Sequence, residues 1–197
     1  MTDGNIRQYF PHPCIILYSK NHKSPQEDRM SEVVKYKNLA LSKGMTDARF
    51  ISPGDIIFDP RVTLKCAWGC DRSSSPNLRC SSRNTTIQER KDALKRYANI
   101  LLVHSHDAVS LSNTLLELER TAFLDGYYLA FVVRACNYCE ECQVLKGGIC
   151  SFPEKVRPCE TLFGIDMFKT VRVLGLPCDV LQNKEDIQNR YGFLRID

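Results

Sequence analysis

The residues with the most chemistry to offer are cysteines, ten in a chain of 197 residues. Four of them form the run Cys136-Asn-Tyr-Cys139-Glu-Glu-Cys142, followed after seven residues by Cys150. Two-residue gaps let successive sulfurs converge on one small inorganic core while the backbone wraps around it. Three such thiols in a row match the start of the bacterial ferredoxin run, whose fourth cysteine follows a little later. Here the fourth comes after a longer gap, with Gly147-Gly148 to bend the chain back, and Pro153 lies three residues beyond Cys150 rather than beside it. Cys150 therefore completes the same cluster or serves a second one. Zinc competes for such thiols, although its sites usually come as two separated pairs. A 4Fe-4S cluster is the first reading, zinc the alternative, and unligated or redox thiols the third.

A second set is Cys66-Ala-Trp-Gly-Cys70, then Cys80. Three thiols can hold a four-iron cluster with one iron open to substrate, solvent or another side chain. They could equally be loop thiols without a ligand role, or lend one thiol to the first set, so the count is one cluster or two. Trp68, the single tryptophan, is expected to shield or pack. Cys14, in an apolar run, and Cys178, after Pro177, are expected as small buried hydrophobes. Cys159 is left open. It lies in Pro153-Glu-Lys-Val-Arg157-Pro158-Cys159-Glu160, ahead of Gly164-Ile165-Asp166. Arg157 could donate to cluster sulfides or offset thiolate charge, and Glu160 and Asp166 could contact the metal or a partner. Salt bridges and helix capping account for the same residues, with Asp166 favoured simply by a helix N-terminus.

Other chemistry is sparse. His104-Ser-His106 ends an expected strand and reads as a strand-end polar pair ahead of a ligand pair. The chain has no P-loop, no Gly-rich dinucleotide fingerprint and no Gly-x-Ser-x-Gly elbow. Its 27 basic and 23 acidic residues are dispersed, which argues against nucleic acid. No segment approaches the roughly 20 apolar residues that cross a membrane. Residues 1–10 lack the regions of a signal peptide, so the cytoplasm is the expected compartment. In reducing surroundings ten cysteines point to metal or catalysis rather than to a disulfide framework.

The elements that must position these thiols follow from periodicity. A helix is expected over Pro25–Ser42, capped by Ser24 and ended by Gly44, with Met30, Val33, Val34 and Leu41 near one face. Extended segments follow at Ala48–Ile51 and Asp55–Lys65, broken by Pro53-Gly54 and bent at Asp59-Pro60. Residues 66–86 read as a cysteine-bearing loop. Helix Thr86–Tyr97, strand Ile100–His104, helix Ala108–Leu124 and strand Tyr128–Val133 come next, and Gly164–Leu174 closes as a helix. The fold class is α/β, a layered sheet with flanking helices and a C-terminal, cysteine-rich, ferredoxin-like cluster loop. The expected organisation is an α/β domain over 1–135, a metal-binding module over 136–178 packed on it, and a tail over 179–197.

These motifs carry a family likeness. The run Cys136-x2-Cys139-x2-Cys142-x7-Cys150-x2-Pro153, with Arg157-Pro158, Glu160 and Gly164-Ile165-Asp166, resembles the DUF2284 family of predicted metal-binding proteins. Asp55-Ile56-Ile57, Asp59-Pro60-Arg61-Val62 and Lys65-Cys66, with Cys70 and Cys80 beyond, agree. The likeness spans roughly residues 33 to 178. Ser81-Ser82 stands where the family commonly has two prolines, and Cys159 where it usually has a small residue. The resemblance implies metal binding and no defined reaction. The expected function is an iron–sulfur redox or electron-transfer accessory to a partner protein. The alternatives are an iron–sulfur enzyme with an open iron at Cys66, Cys70 and Cys80, and a zinc-stabilised binding module.

Overall fold

Residues 25–70 and 85–197 are described by a computed structural model, with side chains from residue 32 onward. Helix α1, Pro25–Ser42, leads into strand β1, Asp47–Ile51. Its buried face is Val33, Tyr36 and Ala40, whereas Val34 and Leu41 of the expected face are exposed. The sheet is completed by β2, Asn99–Ser105, β3, Phe131–Val133, and β4, Arg190–Ile196. The strand order is β1-β2-β4-β3, with every neighbouring pair antiparallel.

Strand β4 is the main departure from expectation, because residues 190–196 fall in the stretch read as a tail. Instead they pair with β2 from Asn99↔Ile196 to Ser105↔Arg190 and with β3 from Phe131↔Arg195 to Val133↔Phe193. A central strand is buried on both faces, so its sequence reads as an apolar run rather than an alternating one. In Arg-Tyr-Gly-Phe-Leu-Arg-Ile that run is interrupted by Gly192 and Arg195. Gly192 has a packing reason. A Cβ there would lie 2.4 Å from Leu115 Cδ1 and 3.1 Å from Arg134 Cδ.

Both faces of the sheet are covered. Helix α4, Ala108–Leu124, and α1 bury Leu111, Leu115, Leu118, Ala122, Val33 and Tyr36 with Leu101, Val103 and Leu194 of the strands. The opposite residues of the pleat, Ile100, Leu102 and Phe193, pack with Leu94, Phe163, Ile165 and Val171. That second layer comes from helices α3, Ile87–Lys95, α5, Glu160–Phe163, and α6, Met167–Val173. The division of β2 between two apolar layers follows from the pleat, which sends successive side chains to opposite faces of the sheet.

Two further expectations are corrected. Asp55–Lys65 is not an extended segment, since helix α2 runs over Arg61–Trp68 and so contains Cys66. Pro60 is already in the helical region, and the Asp59 carboxylate accepts the Arg61 N–H at 3.0 Å. Asp-Pro therefore starts a helix here instead of bending a strand, as the fixed φ of proline permits in a first turn. The closing helix, expected from Gly164, begins only at Met167. Gly164, at φ +90°, ends α5, and the Asp166 carboxylate caps α6 through the Lys169 N–H. No helix among the described residues is long and apolar enough to cross a membrane.

Candidate metal centre

Strand β3 feeds the chain directly into the thiol run. At its end the Arg134 N–H donates to the Pro158 carbonyl at 3.0 Å, joining the start of the loop to its return. Past Cys142 the chain makes a 3-10 turn over Gln143–Lys146, closed by Gly147 in the left-handed region at φ +82°. The Gly148 N–H then donates to the Gln143 carbonyl at 2.9 Å. Gly147-Gly148 thus makes a tight turn between Cys142 and Cys150.

Cys136, Cys139, Cys142 and Cys150 are all half-buried. Burial pushes the Cys136 thiol up, a backbone hydrogen bond from Tyr138 draws it down, and the charges of Cys139, Cys150 and Cys142 push it up again. Cys136 is thus within electrostatic reach of the other three thiols. Among the described residues, no three His, Cys, Asp or Glu side chains are gathered around one ion position. The chemistry of the donor set still fits a soft metal. Half-buried thiolates that repel one another are relieved by a shared cation, and thiolates are the ligands that zinc and iron–sulfur clusters select.

A family model described as DUF2284, predicted metal-binding protein, matches residues 49–196. The chain belongs to this family. Comparison with curated proteins and with solved structures finds no match. The DUF2284 region begins within β1 and ends within β4. It therefore holds β2, β3 and both sets of thiols, and leaves α1 outside.

Arg157 is engaged away from the thiols. Its Nε donates to both carboxylate oxygens of Glu119 at 3.0 Å, and its Nη2 donates to Glu119 Oε1. Its Nη1 donates to the carbonyls of Glu154 and Val156. Of five guanidinium donors, one N–H is left over. Glu119 also accepts the Val132 N–H at 2.6 Å, so this ion pair ties the loop that follows the thiols to strand β3. Glu160 likewise faces an arginine. It is buried and lies 3.2 Å from Arg134 Nη1, which also donates to the Tyr191 carbonyl. Asp166 is the cap of α6.

The second set has a different environment. Cys66 is buried and packs with Leu162 and Cys159. The charges of Cys66, Glu89 and Cys159 raise the Arg90 pKa, although burial, the larger effect, lowers it. Arg90 donates to the Leu162 carbonyl and, at 2.8 Å, to the Thr85 hydroxyl. An open cleft of about 550 Å³, lined in part by Cys66, Trp68, Ile87 and Arg90, lies alongside. Trp68 is 82% exposed rather than packed. Cys70 is exposed, while Cys80 and Cys14 lie outside the described residues. Cys178 is half-buried at the edge of the second core layer.

His104 and His106 are a strand-end pair, 5.0 Å apart between ring centroids. His104 stacks on Tyr191, and its Nε2 lies 2.9 Å from the side-chain oxygen of Asn189. Sequence reasoning passed over Glu119, Arg134, Tyr138 and Arg90, which organise the surroundings of the thiols. Glu119 had a signal, since it falls one turn after Leu115 on the buried side of α4, where a lone carboxylate needs a partner.

Proposed function

We propose that this DUF2284 protein binds a 4Fe-4S cluster through Cys136, Cys139, Cys142 and Cys150 and relays electrons to a partner protein. The observation that carries the reading is a single loop with four half-buried thiols, Cys136, Cys139, Cys142 and Cys150, in which the Gly147-Gly148 turn separates the fourth from the evenly spaced first three. Even spacing of three thiols plus a returning fourth suits a cluster in which each thiolate takes a different iron. When bound, the cluster supplies one-electron redox chemistry. The chain's own residues set its surroundings. Tyr138 brings close to Cys136 a buried phenol that has no partner among the described residues, and burial first, then the charge of that cysteine, pushes the phenol up. Such a donor would lower the energy of thiolate charge. Ile149, Leu145 and Phe152 leave apolar surface exposed around the same loop, as docking of a partner requires.

A second reading is favoured by the cleft beside Cys66. There the upstream thiols would hold a cluster with an iron open to a small ligand, and Cys80 would complete the set.

Anaerobic purification followed by metal and sulfide analysis tests both. Iron and sulfide in comparable amounts are expected, with about four irons per chain for one cluster and about eight for two. Cys136→Ser should remove iron, and Cys66→Ala should lower iron only if the upstream thiols bind. An open iron predicts a spectral change on adding cyanide or a small thiol. Colourless protein with stoichiometric zinc would overturn the iron reading.

A further inference from the structure

Among the described residues, two buried guanidinium nitrogens have no hydrogen-bond partner, Nε of Arg134 and Nε of Arg190. Both side chains line the same cavity, of about 280 Å³, between the start of β4, the α5–α6 segment and the loop after Cys178. Neither arginine is loose. Arg134 is only 7% exposed and is anchored through Nη1 to Glu160 and to the Tyr191 carbonyl. Its stem also lies against Gly192, where a Cβ would intrude. Arg190 donates through Nη2 to Gln188. The two cations sense each other. Burial first, and then the charge of Arg134, draws the Arg190 guanidinium down, with Asp107 offsetting part of this. Those two Nε atoms are closed to solvent; the donors left for a ligand are Arg134 Nη2 and Arg190 Nη1, neither of which meets an acceptor among the described residues.

The charge balance indicates which acceptor. Glu160 is the buried carboxylate of the cavity and is committed to Arg134. Asp179 also lines it, but its side chain is 91% exposed and lies 3.9 Å from Arg172. Arg134 and Arg190 thus face one buried carboxylate, with Asp107 acting on Arg190 from outside the lining and Asp179 exposed to solvent, so the small positive excess suits an anion of low charge. Several polar neighbours are already committed. The Asn189 oxygen meets His104, and the Tyr191 hydroxyl donates to the Pro177 carbonyl. Met167, Phe168, Val180 and Leu181 add apolar lining suited to a carbon body.

We propose that this cavity binds a small organic monocarboxylate, with the carboxylate on Arg134 and Arg190 and its short apolar body against Met167, Phe168 and Leu181. Arginine forks match the planar carboxylate and give two parallel hydrogen bonds. The volume lies just below the roughly 300–1,000 Å³ of ordinary small-molecule sites, so the acid has few carbons. The site needs no metal and stands independently of the thiol cluster.

The test is titration of the purified full chain with butyrate, followed by calorimetry and thermal melting. Inorganic phosphate and chloride at matched ionic strength are the comparison arms. Butyrate is expected to bind saturably and raise Tm, phosphate and chloride to do neither, and R190Q to weaken butyrate about tenfold or more. Absence of saturable butyrate binding overturns the proposal, as does equal binding by R190Q. Tighter binding of phosphate than of butyrate overturns the monocarboxylate assignment. If R190Q fails to fold, L181W, which fills the cavity, must abolish butyrate binding while keeping a native circular dichroism spectrum. Undiminished binding by folded L181W is equally fatal.

Discussion

At the scale of single residues, His104 shows how burial turns a titratable group into a pH-dependent stabiliser. It is buried, stacked on Tyr191 and set against Asn189. Burial, the largest effect, holds its imidazole below the ordinary value of 6.5, and the charge of His106 adds to this. The folded state therefore takes up its proton later than the unfolded state does. Below about pH 6.5 the unfolded chain binds a proton that the native chain refuses, so stability falls with pH in that window. Above it the contribution is complete. Urea unfolding between about pH 7 and pH 5 should show this loss. His104→Gln should be less stable at neutral pH, through the lost stack, yet flatter across the window. A variant with the same pH slope as the parent would show that His104 is not its source.

At the scale of elements, Gly192 couples the centre of the sheet to the buried arginine beside it. Replacing it with Ala puts a methyl 2.4 Å from Leu115 Cδ1 and 3.3 Å from Arg134 Cβ. Leu115 is fully buried, so its Cδ1 would have to shift within a close-packed core. The expected cost is about 1–3 kcal/mol, the usual range for overpacking a filled core. It should appear as a lower urea midpoint with an unchanged m-value, and an unchanged midpoint would mean that β4 is loosely packed. Much of the element order was legible before any coordinates. Helices Pro25–Ser42 and Ala108–Leu124 were read with the bounds they have, and Gly147-Gly148 marks the turn in the thiol run. What could not be read was where long-range packing overrides local pattern. Residues 190–196 look like an end because a doubly buried strand loses its alternation. Arg157 could have served a cluster or a carboxylate, and the choice was made by Glu119 on a helix 38 residues away.

At the scale of the molecule, the apolar core and the thiol loop are separate sources of order. Side chains on both faces of β2 and β4 are buried against helices, and none of the four loop thiols belongs to either main core layer. Among the described residues the loop is tied to that body by the Arg134–Pro158 backbone bond, the Ser112 hydroxyl on the Ala135 carbonyl, the Glu119 bridge from Val132 to Arg157 and the buried Val144. Between these ties the chain has short 3-10 turns and half-buried cysteines. Few buried apolar contacts mean low local stability, so bound metal should order the loop without being needed for the sheet. Stripping the metal with a chelator, under oxidation if the cluster is iron–sulfur, should leave amide protection in β2 and β4 nearly unchanged. Protection over residues 137–156 should fall by at least about tenfold, as expected for a segment whose ligand is gone. The metal-free chain should still melt cooperatively, at a Tm only modestly lowered. Loss of protection throughout the sheet would instead make the metal a folding ligand of the whole domain, as in zinc fingers. That result would move the balance from electron relay toward a structural metal. The exchange pattern, read strand by strand, therefore decides whether this family holds its metal to work or to fold.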